Sequence, residues 1–291
     1  MRIGAHVSVA GGIATAFDRA LAIGAEAVQV HPTAPQTWRR LQLDEGTVLN
    51  FRARMAATGL DAFFFHAVYL INLATARDDL LAQSVGSLRH YLELATELGV
   101  RGVVFHAGSH KGVGFEAVLP QVARAMAQAL EGAGPDTWLL IENSAGAGAN
   151  IAHSFEQIGA MIAAVGDPRV RVCLDTAHAF TAGYDLRQAA ELARVTEAFA
   201  THIGFDRLAA IHANDSKADF GSNRDRHENI GDGFLGAESF RQLGREPRLR
   251  AVPFILEVPG LEGRGPDRAN VERLRALAGL PPLPPPPAGP A

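Results

Sequence analysis

The sequence predicts a (β/α)8 TIM barrel, and three observations carry that prediction. Eight short apolar runs recur along the chain: RIGAH, EAVQVH, DAFFFH, RGVVFH, TWLLIE, RVRVCLD, RLAAIH and VPFILE. They close at residues 6, 31, 66, 106, 142, 175, 212 and 257, a beat of about 36 residues that suits one βα unit. All eight positions are His, Asp or Glu, and six of them (His66, His106, Glu142, Asp175, His212 and Glu257) are taken as candidate metal ligands. A parallel barrel gathers such residues at one mouth, because all its strands open on the same face. The alternative, an open doubly wound sheet, fits eight units less well. SVAGGIA after the first run lacks the spacing of a dinucleotide-binding turn.

The elements follow in order. The first run breaks into VSVAGG, and the second leads into the loop PTAPQTW. The third opens the most apolar stretch, AFFFHAVYLINLA, but His66 and Asn72 interrupt it well short of a membrane-spanning length. LLAQSVGSLRHYLELATELGV is amphipathic and closes on Gly99, a residue suited to a left-handed helix cap. The fourth run, ending at His106, precedes a second amphipathic stretch, AVLPQVARAMAQALEGAG. The next three runs end in Glu142, Asp175 and His212, and the last in Glu257. After Leu280 comes PPLPPPPAGPA, which reads as an extended, unstructured proline-rich tail. The chain is therefore expected to be one barrel domain over residues 1–280 and a tail over 281–291.

Of 291 residues, 47% are apolar and 20% charged, enough for a large core and too few charges for wholesale disorder. A net charge of −4 excludes nucleic-acid binding through a general basic surface. A polyanion partner then needs a local positive field. Cys173 stands alone inside an apolar run, so it reads as core, and no intrachain disulfide is available. MRIGAHVSVAGG does not read as a secretory leader, and a cytoplasmic location without membrane contact is expected.

Carboxylates and imidazoles packed at one mouth repel or change protonation unless a cation joins them. Mixed nitrogen and oxygen ligands suit Zn²⁺, Mn²⁺ or Fe²⁺. Two local spacings add to the set. DTAH holds Asp175 and His178, and DRH holds Asp225 and His227. Nine ligand-type residues exceed what one tetrahedral ion uses. They suit a cluster of two or three ions sharing a carboxylate, the equipment for in-line displacement at phosphorus.

The motifs GAHVSVAGG, HAVYLINLA, FHAGSH, IENSAGAG, CLDTAHAFTAGYD, HANDSKADFGSNRDRHENIGDG and FILEVPG resemble the endonuclease IV family of apurinic/apyrimidinic DNA repair endonucleases. The resemblance runs from residue 3 to about residue 260. It implies a trinuclear zinc site, with manganese as an alternative ion. By that likeness His66, His106 and Glu142 hold one ion. Glu142, as the bridge, with Asp175, His212 and Glu257 holds the second; His178, Asp225 and His227 hold the third. The implied reaction is hydrolysis of the phosphodiester 5′ to an abasic site in double-stranded DNA. It leaves a 3′-hydroxyl and a 5′-deoxyribose phosphate through a metal-activated hydroxide near Glu142. Blocked 3′ ends are further implied substrates, and a monomer is expected. Three divalent ions bring the formal charge from −4 to about +2, concentrated where a phosphate must bind.

The sequence departs from the family pattern after the second run. There the family usually has an aromatic residue, a Lys-Asn pair, then an arginine shortly before a tryptophan. Here His31, Thr33, Ala34 and Gln36 precede Trp38. Gln36 and Trp38 occupy the DNA-contacting loop, and Tyr69 matches the family's other stacking residue. His6 and His110 are expected near the mouth, as supports to ligands. His90, His153 and His202 are read as surface positions in helices. A sugar isomerase or epimerase on a related barrel is the main rival, and the third ion group discriminates against it. A DNA-binding or metal-storage protein without catalysis is the other.

Overall fold

The structure is a computed structural model that describes residues 1–285. Eight parallel strands close a barrel. The first seven are β1 (Ile3–His6), β2 (Val28–Val30), β3 (Phe63–His66), β4 (Gly102–Phe105), β5 (Trp138–Glu142), β6 (Val170–Asp175) and β7 (Leu208–His212). A two-stranded antiparallel ribbon, β8 (Asp215–Ser216) and β9 (His227–Glu228), follows β7. The barrel then closes with β10 (Phe254–Leu256), which pairs with both β7 and β1. The predicted runs and the strands agree, except that β2, β4 and β10 stop one residue short of His31, His106 and Glu257.

Helices wrap this barrel: α1 (Thr15–Ile23), α2 (Glu45–Thr58), α3 (Asp78–Leu98), α4 (Phe115–Leu130), α5 (Phe155–Val165), the short α6 (Thr176–Thr181), α7 (Ala189–His202), α8 (Gly236–Arg245) and α9 (Arg268–Leu277). The amphipathic 80–100 stretch is α3, and Gly99 ends it in the left-handed region at φ +76°. Asp44, Ser154 and Asp267 accept N–H bonds at the starts of α2, α5 and α9, caps worth about 1 kcal/mol each.

Alternation along the strands decides what goes where. Phe63, Phe65, Val103, Phe105, Leu139 and Ile141 point outward, into the layer shared with the helices. Ala27, Phe64, Val104, Leu140, Cys173, Ala210 and Ile255 point inward and fill the barrel. At Gly102 a Cβ would lie 2.5 Å from the Trp138 carbonyl oxygen, so only glycine allows β4 and β5 to meet there. Burial pushes the Cys173 thiol up to about 11, which suits a core residue and not a nucleophile.

Residues 281–285, the described part of the proline-rich segment, form no helix or strand. Most of these residues are exposed, but Arg275 Nε donates to the Pro281 carbonyl at 3.0 Å and Leu283 packs against the core beside Gly24. An apolar side chain within the proline run gives that segment something to bury. The expected tail residues 286–291 lie outside the described residues. Among the described residues no helix is long and apolar enough to cross a membrane.

Candidate metal centre

The same alternation builds the site. Two residues beyond each inward core residue stands the next inward side chain: His66 above Phe64, His106 above Val104, and Glu142 above Leu140. Asp175 stands above Cys173, His212 above Ala210, and Glu257 above Ile255. Each strand thus fills the barrel with an apolar residue and then ends in a polar one. The resulting layer forms the floor of a mouth cavity of about 360 Å³, lined by His66, Tyr69, His106, His178, Asp225, His227 and Glu257 among others.

Glu142 is central and fully buried. Its Oε2 lies 3.0 Å from His66 Nε2 and 3.4 Å from His106 Nε2, while its Oε1 lies 3.1 Å from His212 Nδ1. His212 Nδ1 is also 3.2 Å from Glu257 Oε2 and 3.8 Å from Asp175 Oδ2. Two compact groups result, His66 with His106 and Glu142, and Glu142 with Asp175, His212 and Glu257. A third joins Asp175 to His178 and His227. Asp225 stands outside that compact trio, on a half-exposed stretch of loop. It is nevertheless 3.3 Å from His178 Nε2 and 3.4 Å from His227 Nε2.

The imidazole tautomers reveal what this arrangement requires. His66 Nδ1–H donates to the Ala67 carbonyl at 2.8 Å, and His178 Nδ1–H to the Asn143 carbonyl at 2.9 Å. A carbonyl only accepts, so in the neutral ring each Nε2 carries a lone pair. Those lone pairs face carboxylate oxygens, and His178 Nε2 and His227 Nε2 are buried without a hydrogen-bond partner. Lone pairs facing carboxylates repel unless a cation lies between them. The donor set of five imidazoles and four carboxylates therefore fits divalent metal ions.

The electrostatics agree. Burial disfavours charge on Glu142, but His106 and His212 reverse this and hold its carboxyl well below the usual range. Burial opposes charge on His178 too, yet Asp175, Asp225 and Glu142 raise it well above the ordinary imidazole value. Burial likewise works against Asp225, and His178 and His227 hold its carboxyl down at about 2. Each shift expresses the same demand for positive charge among anions.

The comparisons with known proteins decide the family. Residues 17–278 match the family described as xylose isomerase-like TIM barrels. A relative named probable endonuclease 4 from Chloroflexus aggregans is 36% identical over 95% of this chain and 97% of its own length. Another of that name, from Methanoculleus marisnigri, is 38% identical over 95% of this chain and 99% of its own. The crystal structure of endonuclease IV from Thermus thermophilus superposes with a TM-score of 0.85 at 35% identity, over 96% of this chain and 99% of that one.

The chain belongs to the endonuclease IV family.

Several residues of this endonuclease IV site lie beyond the ligand-type set. Gln29, inward above Ala27, donates from Nε2 to Glu257 Oε1 at 2.6 Å and accepts on Oε1 from His212 Nε2 at 2.9 Å. It thereby leaves His212 Nδ1 bare toward the centre. Asn214 donates to Asp175 Oδ2 at 2.7 Å and accepts from the Glu257 amide at 2.8 Å. Asn143 accepts from the Asp175 amide at 2.6 Å. Sequence reasoning misses these three. Their signal is position, since Asn143 and Asn214 follow ligands closely and Gln29 sits at the inward end of its strand. Asp215 takes N–H bonds from Ser216, Gly231, Gly233, Leu235 and Gly236, which ties the loop after β9, and so His227, to the barrel. In the loop after His106, Asn72 clamps both the amide and the carbonyl of Ser109. Gly108, at φ +96°, leaves room for it, because a Cβ there would fall 2.3 Å from Asn72 Oδ1.

His6 joins the floor, with Nδ1 3.0 Å from Glu257 Oε1. His110 does not. Its Nδ1 accepts from the Gly112 and Gly114 amides at 3.1 Å and so closes its own loop. Tyr69 stands at the rim, 56% exposed. Gln36 is exposed on the loop after β2, while Trp38 packs against the core and anchors that loop. Of the histidines read as surface, His202 pairs with Glu156, His90 is half-buried in α3, and His153 precedes α5.

Proposed function

We propose that this chain is a DNA repair endonuclease that hydrolyses the phosphodiester 5′ to an abasic site in double-stranded DNA, leaving a 3′-hydroxyl and a 5′-deoxyribose phosphate. One observation carries the reading: three metal-type groups share Glu142 and Asp175 in one open mouth. A phosphodiester needs several positive centres close together, and linked groups supply them where separate ones do not. Family membership supports the same reading, and blocked 3′ ends present the same phosphate chemistry.

His66, His106 and Glu142 would hold one ion, and Glu142, Asp175, His212 and Glu257 a second. His178, Asp225 and His227 would hold a third, with Asp175 close enough to join them. We infer zinc, with manganese as the alternative, from the nitrogen and oxygen donors. Bound ions supply Lewis acidity toward phosphate oxygens and bring the pKa of water toward neutrality. The chain does the remaining work. Glu142, with one oxygen toward each of two groups, would help hold both ions and orient the attacking water. Ala67, Asn143 and Gln29 fix the imidazole tautomers, so the centre needs no rearrangement when a phosphate arrives. Tyr69 offers an aromatic face at the rim to the stack beside the lesion, worth about 1–3 kcal/mol.

The test is incubation of the purified chain with a duplex carrying one abasic site, with and without chelator. Chelator-sensitive cleavage whose products carry 3′-hydroxyl and 5′-deoxyribose phosphate ends is expected. Binding without cleavage would instead favour a DNA-binding protein. No action on DNA, with turnover of a ketose, would favour an isomerase.

A further inference from the structure

The loop after β2 departs from the family's usual pattern, and the fold ties it to Tyr69. Three contacts pin the loop down. Thr33 Oγ1 and the Tyr91 hydroxyl are 2.8 Å apart, Thr37 closes a turn on the Ala34 carbonyl, and Trp38 packs on the core. The loop then reaches Tyr69 twice. The Pro35 carbonyl accepts from the Tyr69 amide at 3.0 Å, and His31 meets the Tyr69 side chain.

His31 is held for that contact. Its Nδ1–H donates to the His66 carbonyl at 3.1 Å, which leaves Nε2 as an acceptor in the neutral ring. That Nε2 lies 3.3 Å from the Tyr69 hydroxyl. The two rings meet edge to face, with centroids 5.2 Å apart at 77°. Behind His31, His6 packs at 4.6 Å and His66 at 4.9 Å, so the imidazole is backed from two sides. A half-exposed tyrosine at a rim would otherwise sample several rotamers and lose that freedom on binding, which weakens any stack it makes.

We propose that His31 is the positioning residue for Tyr69. It accepts the phenolic hydrogen and braces the ring, so that the loop after β2 acts on DNA here through Tyr69. The proposal rests on the reading above in which Tyr69 meets abasic DNA. His31 touches no reacting atom. It fixes the direction of the aromatic face.

The test measures binding of the metal-loaded chain to a duplex bearing a tetrahydrofuran abasic analogue and to the undamaged duplex. The variants are His31→Phe, Tyr69→Phe, the double variant and Tyr69→Ala. His31→Phe keeps a ring and removes the acceptor, whereas Tyr69→Phe keeps the ring and removes the donor at a rim position. Each should weaken abasic binding by about 2- to 10-fold, the worth of one hydrogen bond. The double variant should be no weaker than the worse single one, because both delete the same bond. In His31→Phe, binding to the undamaged duplex should stay level, and the metal content by elemental analysis should stay level in every variant. Wild-type affinity in His31→Phe while Tyr69→Ala binds poorly would overturn the proposal alone. So would losses that multiply in the double variant, or metal loss in His31→Phe, which would assign the imidazole to His66. Wild-type affinity in Tyr69→Ala would overturn the reading of Tyr69 as a DNA contact, and the role of His31 with it.

Discussion

The two ends of the barrel treat their acidic residues in opposite ways. At the closed end each buried or half-buried carboxylate has a guanidinium. Asp61 lies 2.7 Å from Arg2 and 3.0 Å from Arg101, Asp167 lies 2.7 Å from Arg169, and Glu26 lies 2.7 Å from Arg275. At the mouth Glu142, Asp175, Asp225 and Glu257 face imidazoles, and no lysine or arginine among the described residues pairs with them. A carboxylate with a permanent cation is finished. A carboxylate with no permanent cation beside it remains available to a metal ion. The contrast separates a scaffold end from a working end without reference to any relative.

The largest break in that contrast comes from chelation. It should abolish cleavage and lower the melting temperature by roughly 5–15 °C, from a binding contribution of about 3–4 kcal/mol in a chain of this size. The arginine pairs at the closed end should be indifferent to it. A thermal scan that does not move when metal is removed would show that the mouth is as self-sufficient as the base.

Within the mouth, ligands should differ by how many groups they serve. Glu142 touches two groups, so Glu142→Ala should empty or disturb both and lower kcat on the order of 10³-fold or more. Asp225→Ala should deplete the third group while leaving the other two filled. Metal stoichiometry by elemental analysis checks this, and two variants with full wild-type occupancy would refute the ligand assignment.

The fold and the six candidate ligands at the strand ends are legible in the sequence because both follow from alternation, whereas His178, Asp225 and His227 lie off the barrel strands and show only as local spacings. Apolar runs of strand length recur at a constant beat, and the inward residue at each strand end is polar. Gln29 obeys the same alternation but escapes notice, since an amide does not titrate and reads as an ordinary strand residue. His31 registers only as a departure, because its partner Tyr69 lies in another loop and sequence spacing carries no sign of the contact. The β8–β9 ribbon is invisible for a different reason, as two-residue strands have no periodicity to detect. Leu283 is lost among prolines.

Gln29 sharpens the comparison further, because it is neutral and yet belongs to the charged floor. Gln29→Leu keeps the bulk and removes both the donor to Glu257 and the acceptor for His212. Metal affinity should drop about 10- to 100-fold, the usual cost of losing a residue that orients ligands. Titration with a competing chelator measures it. Unchanged affinity would mean that the strand itself orients His212.

The smallest effect belongs to the closed end. Burial opposes the charge on Asp61, but Arg101 and Arg2 more than compensate and hold its carboxyl below its ordinary value. The pair is half exposed, so solvent screening limits its worth, and Asp61→Asn should cost about 0.5–1 kcal/mol. The pH dependence follows from the sign of the shift. A carboxyl depressed by folding stabilises the protein above its unfolded pKa of about 3.9, and that contribution fades as pH falls through the folded value. Wild type and Asp61→Asn should therefore differ by a constant amount between about pH 5 and pH 8 and converge below about pH 4. Chelator should leave the difference unchanged, because arginine supplies the cation at this end. Urea melts of both proteins across pH, with and without chelator, measure it. A gap that closed on metal removal would mean that the two ends are coupled, and that the division between scaffold and site is drawn in the wrong place.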